Sequence, residues 1–243
     1  MESTPPSPEP ILRLERVSKT FTLHMQGGLK LPVVRDVSFD VCAGECVVLD
    51  GPSGAGKSSI LKMIHGNYLV GSGSILLREE GGWVDMAMAP PRRILELRQR
   101  AIGYVSQFLR VIPRVSCLDL VAARACESGC GRSEGEERAA KLLTQLNVPE
   151  RLWKLAPATF SGGEQQRVNI ACGFAARRPL MLLDEPTASL DRKNCDAVIM
   201  LIEACKTQGS AVLGIFHDAQ VRARVADKLV DMRQFAAGTP IYV

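Results

Sequence analysis

Histidine is scarce in this chain of 243 residues, with three in all, and aromatic residues make up only 5% of it. So few imidazoles argue against zinc at Cys42-x3-Cys46 or Cys126-x3-Cys130, although both spacings would allow it. The eight cysteines, Cys42, Cys46, Cys117, Cys126, Cys130, Cys172, Cys195 and Cys205, read instead as free thiols, which suits a reducing cytosol. No stretch approaches 18 consecutive apolar residues, so nothing is expected to span a bilayer. Charge of one sign is also lacking: 30 Lys plus Arg against 26 Asp plus Glu leaves a net +4, too weak to argue for nucleic acid. Met1 to Pro10 (MESTPPSPEP) holds four prolines and no apolar run, the pattern of a flexible arm and not of a signal peptide.

What is present is an ordinary globular composition, 46% hydrophobic and 23% charged. Residues 11–243 are expected to form one domain. Ile11 to Leu23 and Val33 to Val41 alternate apolar and polar residues around a Gly27-Gly28 turn, which predicts an antiparallel hairpin with a longish loop; Gly73 to Leu77 with Trp83 to Met86 predicts another. Glu45 to Asp50, Leu180 to Asp184 and Ala211 to Phe216 are short continuous apolar runs, as in strands buried on both faces of a parallel sheet. Ile102 to Ser106 and Lys228 to Met232 complete the strands. Helices are expected over Ser59 to His65, Pro90 to Arg100, Cys117 to Cys126, Glu134 to Leu146, from the glycine pair after Pro157 to Arg178, Arg192 to Gln208 and Asp218 to Ala226, with Gly129 to Gly135 a loop. Arg92, Arg93, Arg98 and Arg100 read as a solvated helix face. The alternation predicts an α/β fold: a mostly parallel core sheet, an antiparallel β subdomain, and a helical lobe inserted over about 111–178.

Three motifs carry chemistry. Gly51, Pro52, Ser53, Gly54, Ala55, Gly56, Lys57 and Ser58 satisfy G-x-x-x-x-G-K-[ST] between a buried strand and a helix. With Ser59 they form a candidate cradle for polyphosphate: the glycines let backbone N–H groups wrap an anion, Lys57 adds a point charge, and Ser58 offers a hydroxyl to Mg²⁺. Asp184 and Glu185 end a buried strand, where Asp184 can hold Mg²⁺ through water and Glu185 can polarise an attacking water. Ser161-Gly162-Gly163 opens a helix with a serine cap, a second anion-binding terminus.

In this order the elements resemble the ATP-binding cassette (ABC) ATPase family, a branch of the P-loop NTPases, over about Leu12 to Met232. FSGGEQQR stands where that family has LSGGQ, with Phe160 and Glu164 as departures. The resemblance implies further roles: Phe21 stacking on adenine, Gln107 sensing Mg²⁺ and the γ phosphate, Ser189-Leu190-Asp191 crossing a dimer interface, and His217 contacting the γ phosphate. His24 and His65 match nothing in it. It also implies ATP and Mg²⁺ as cofactors, and a second nucleotide-binding domain as partner, ATP being sandwiched between Gly51–Ser58 of one copy and Ser161–Gly163 of the other.

Ile102 to Ala122 (IGYVSQFLRVIPRVSCLDLVA), Thr159 to Ala171 (TFSGGEQQRVNIA) and Gly214 to Asp218 (GIFHD) closely resemble the ABC-type subunit of the bacterial carbon–phosphorus lyase system for phosphonate breakdown. That resemblance implies soluble phosphonate-processing subunits as partners, a cytoplasmic location, and support of ribose 1-methylphosphonate 5-triphosphate formation from ATP. The alternative is the ATPase of a lipoprotein-releasing or macrolide-type exporter, in which Phe108, Leu109, Val111 and Ile112 would meet a membrane permease.

Overall fold

The computed structural model describes residues 9–23, 28–107, 109 and 112–237. The N-terminal arm to residue 8, His24 and Gly27 of the first turn, Phe108 and Val111, and the tail from residue 238 lie outside the described residues.

The chain builds two sheets. The antiparallel one has the order β2-β1-β4-β5, from β1 (Pro10–Leu23), β2 (Leu29–Cys42), β4 (Ser72–Glu79) and β5 (Gly82–Asp85). β2 begins at Leu29, four residues before the expected Val33, and Leu23 already pairs with Leu29, so the first loop is shorter than predicted. The second sheet is parallel, order β6-β7-β8-β3-β9, from β3 (Cys46–Asp50), β6 (Ile102–Val105), β7 (Leu180–Asp184), β8 (Ala211–Ile215) and β9 (Lys228–Asp231).

The continuous apolar runs are explained by two cores. Leu180 and Leu182 of β7 enter one, with Val47 and Leu49 of β3 and Leu213 and Ile215 of β8; α1 (Lys57–Ile64) and the antiparallel sheet close it. Met181 and Leu183, with Val48 and Val212, enter the other beneath α3 (Cys117–Cys126), α4 (Arg132–Gln145), α6 (Gly162–Phe174) and α7 (Arg192–Thr207). A strand with period-two side chains and apolar contacts on both faces must be apolar throughout.

Several boundaries differ from expectation. α4 starts at Arg132, and Gly135, expected in a loop, is buried within it where a Cβ would strike Cys126 and the Ala122 carbonyl of α3. α6 stops at Phe174, short of Arg178, and the four-residue α5 (Glu150–Trp153) was not anticipated, being shorter than two turns. Met232–Phe235 is a 3₁₀ turn following β9 and not the end of that strand. On α2 (Pro91–Arg100), Arg93 pairs with Glu79 and Glu96, and Arg98 donates to the His65 carbonyl and Asn67, so these two tie the helix down instead of forming a free solvated face. The eight cysteines are free, and burial pushes the thiols of Cys46 and Cys117 up to about 12. Among the described residues no helix is long and apolar enough to cross a membrane.

Candidate functional site

The carboxyl ends of β6, β7, β8 and β3 lie side by side, and each delivers a residue singled out from the sequence. β3 runs into the glycine loop, where Gly51, Gly54 and Gly56 have φ of 140°, 82° and 85°, the left-handed region that favours glycine. At Gly56 a Cβ would also run into Val34 and Val33 of β2, so this position accepts only glycine. Pro52, Ser53 and Gly54 are exposed at the tip, and Ala55 N–H closes a turn onto the Pro52 carbonyl. Lys57 is 8% exposed and its Nζ donates to the carbonyls of Gly51 (2.7 Å) and Pro52 (2.9 Å), which holds the ammonium against the inner wall of the loop. Ser58 and Ser59 follow in the first turn of α1, whose amino-terminal end favours negative charge.

Ser58 Oγ donates to Asp184 Oδ1 at 3.0 Å across 126 residues of sequence, and Tyr104 of β6 donates from its hydroxyl to Oδ2 at 3.2 Å. Asp184 is buried, and desolvation raises its carboxyl above the ordinary aspartate value despite these two donors. Glu185, the next residue, has φ of 54° and an N–H donating to the Ile215 carbonyl of β8. Its Oε1 lies 2.6 Å from His217 Nε2, and Gln107 Nε2 donates to Oε2 at 3.4 Å. Gln107 and His217, 78 and 32 positions from Glu185, thus meet at its carboxylate.

The signature segment sits on the other lobe. Ser161 caps α6 in a full capping box: Glu164 N–H donates to Ser161 Oγ, while the Ser161 N–H and hydroxyl donate to Glu164 Oε2 at 2.9 and 2.7 Å. Those donors hold the Glu164 carboxyl below its ordinary value. Gly162 is exposed and Gly163 approaches the Ser189 carbonyl. Asp191 caps α7, accepting from the Asn194 backbone and side chain, both at 2.9 Å. The Phe21 ring meets Tyr68 edge-on at 5.2 Å, with Lys19 Nζ 4.9 Å from its centre.

Three residues were not singled out beforehand. Buried Gln166 of α6 donates to the Pro186 carbonyl (3.0 Å) and Asn169 to that of Ser106 (2.5 Å), tying the signature helix to the two strand ends that bear Glu185 and Gln107. Both lie in the SGGEQQRVNIA run, and polar side chains on the inward face of a helix are the signal for such ties. The third is Tyr104, a tyrosine inside a buried strand, whose hydroxyl needs a partner.

The residues fit a nucleoside triphosphate with a divalent cation: a loop with three left-handed glycines, a fixed ammonium, and a hydroxyl beside a carboxylate, the hard oxygen donors that Mg²⁺ prefers.

Residues 34–188 match the family of ABC transporters. The chain belongs to this family. The cassette is 39% identical over 234 residues to a lipoprotein-releasing system ATP-binding protein, LolD 2, of Caulobacter vibrioides, covering 93% of this chain and 95% of that one. It is 34% identical to the macrolide export ATP-binding/permease protein MacB of Brucella melitensis over 92% of this chain, which spans 33% of that longer protein. Among solved structures it resembles a dimeric bacterial ABC transporter cassette, MJ0796, with a TM-score of 0.81 and 27% identity over 90% of this chain and 93% of that one. The same cassette in a dimeric post-hydrolysis state bound to ADP and Pi gives 0.80. The protein is therefore an ABC-type ATP-binding subunit with an ATPase domain of P-loop fold.

Proposed function

We propose that this cassette hydrolyses ATP to drive a lipoprotein-releasing or macrolide-type exporter, working at the cytoplasmic face of a membrane permease. The match along 95% of a lipoprotein-releasing ATP-binding protein carries this reading, and it supports the exporter better than the carbon–phosphorus lyase expected from the sequence segments. The latter stays as the second reading on the strength of IGYVSQFLRVIPRVSCLDLVA, TFSGGEQQRVNIA and GIFHD.

On either reading the chemistry is the same. The loop from Gly51 to Ser59 binds the phosphates, and Lys57, released from the Gly51 and Pro52 carbonyls, turns to the β and γ oxygens. Ser58, Asp184 and Gln107 hold Mg²⁺, which when bound neutralises charge on the phosphate oxygens. Glu185 accepts a proton from the attacking water, and His217, within hydrogen-bond distance of it, contacts the γ phosphate. Phe21 stacks on the base. A second cassette supplies Ser161–Gly163 and Asp191 across a dimer interface, a reading supported by the likeness to a cassette solved as a dimer. Leu109 lines a cavity of about 360 Å³ beside α3 and α6, and Ile112 is exposed; these are the seat for the partner.

The test is what accompanies a tagged chain out of its own cell. A permease recovered from detergent-extracted membrane supports the exporter. A large cytosolic complex of phosphonate enzymes, with none of the chain in membrane, overturns it in favour of the second reading.

A further inference from the structure

Asp184 is 4% exposed, and each of its two oxygens has one donor: Ser58 on Oδ1 and Tyr104 on Oδ2. Ser58 belongs to the candidate metal site itself, so Tyr104 is the donor that comes from outside that site. It arrives by register: Tyr104 pairs with Leu182, two residues before Asp184, so its hydroxyl reaches along the strand edge to the carboxylate. The ring is held in turn by His65, whose ring centre lies 4.7 Å away at 31°. Tyr104 and His65 both line the cavity of about 360 Å³. A carboxylate with both oxygens bonded has one orientation, and Mg²⁺ tolerates little departure from octahedral geometry. Hydrogen-bond partners behind metal ligands commonly change metal affinity by about 10- to 100-fold when removed.

We propose that Tyr104 is a positioning residue, which fixes the Asp184 carboxylate for the divalent cation through the hydroxyl contact to Oδ2. The proposal rests on the reading of Asp184 as a metal-holding residue. Tyr104 touches neither nucleotide nor water in this role; it sets the direction in which Asp184 presents its lone pairs.

The experiment uses the full chain with Tyr104→Phe, which keeps the ring and its contact with His65. Mn²⁺ affinity is measured by electron paramagnetic resonance in the presence of a non-hydrolysable ATP analogue, beside metal-free analogue binding and the melting temperature without ligand. The expected result is Mn²⁺ affinity weakened about 10-fold or more, with metal-free analogue affinity unchanged. Unchanged Mn²⁺ affinity in a folded Tyr104→Phe overturns the proposal. Asp184→Asn separates the two readings: if it too leaves Mn²⁺ affinity unchanged, the metal assignment of Asp184 has failed, whereas loss there without loss in Tyr104→Phe defeats the role of Tyr104 alone. Should Tyr104→Phe not fold, 3-fluorotyrosine replaces the three tyrosines of the otherwise native chain. The fluorine resonance of Tyr104, assigned with Tyr68→Phe and Tyr242→Phe, is then expected to shift on adding Mg²⁺ to the analogue-bound protein, and a resonance that stays put counts against the proposal.

Discussion

Lys57 and Glu185 show how much a single side chain can be asked to do. The Lys57 ammonium is buried against two carbonyls of the loop, so its removal frees backbone acceptors without opening the core, and the fold should survive. Lys57→Ala is expected to abolish tight Mg-ATP binding, because a compact charge aimed at the β and γ phosphates has no substitute in the loop. Isothermal titration checks this, and unchanged affinity together with unchanged hydrolysis would refute it. Glu185→Gln is isosteric but no longer a base. General-base assistance is typically worth 10²- to 10⁴-fold, so steady-state phosphate release should fall at least ~100-fold while Mg-ATP binding is kept. Turnover at the native rate would remove Glu185 from its assigned role. The loop and the acid pair were both legible as residues, since each is a contiguous string whose chemistry is local. Tyr104 was not: nothing in IGYV says that its hydroxyl meets a carboxylate 80 residues away.

Helix α6 depends on its cap. Ser161 Oγ accepts from Glu164 N–H and its hydroxyl donates to the Glu164 carboxylate, so Ser161→Ala removes the side-chain half of the box, leaves the backbone N–H of residue 161 on Glu164, and is expected to cost about 1 kcal/mol in urea unfolding. The pH dependence follows from the same contact. The Glu164 carboxyl is lowered from 4.5, chiefly by its hydrogen bonds from Ser161, so its contribution is present above that ordinary value and is lost as pH falls through the lower value in the fold. Glu164→Gln should flatten this acid-side loss, and identical stability profiles from pH 3 to pH 6 in the two proteins, followed by circular dichroism, would contradict it. At this scale the strands were read best. β7 was anticipated over its full length and β3 and β8 to within one residue, because a strand buried on both faces has no polar positions to blur its ends. Helix ends were read less well: Gly135 signals a loop by propensity, yet the packing of α4 on α3 needs a residue without a side chain there.

For the whole molecule the consequence is assembly. If ATP joins Lys57 of one cassette to Ser161 of a second, slowing hydrolysis should trap the joined state. Glu185→Gln is expected to run as a dimer in ATP and as a monomer in ADP on size-exclusion chromatography with light scattering, the measurement being repeated with any purified partner complex. A monomer under ATP in both settings rules out the sandwich. The amino-acid sequence by itself determined the phosphate loop, the buried strands, the capped signature helix and membership of the ABC class, since each is written in neighbouring residues whose spacing dictates local geometry. Only the tertiary structure decided that Gln107 and His217 converge on the Glu185 carboxylate, that Ser58 and Tyr104 divide the oxygens of Asp184, and that Gln166 and Asn169 tie the signature helix to the sheet edge. The physical reason is the strand order β6-β7-β8-β3: it sets Ile102 beside Leu180, Leu180 beside Ala211 and Val47 beside Leu213, segments far apart in the chain, and no local periodicity specifies which strands will be neighbours.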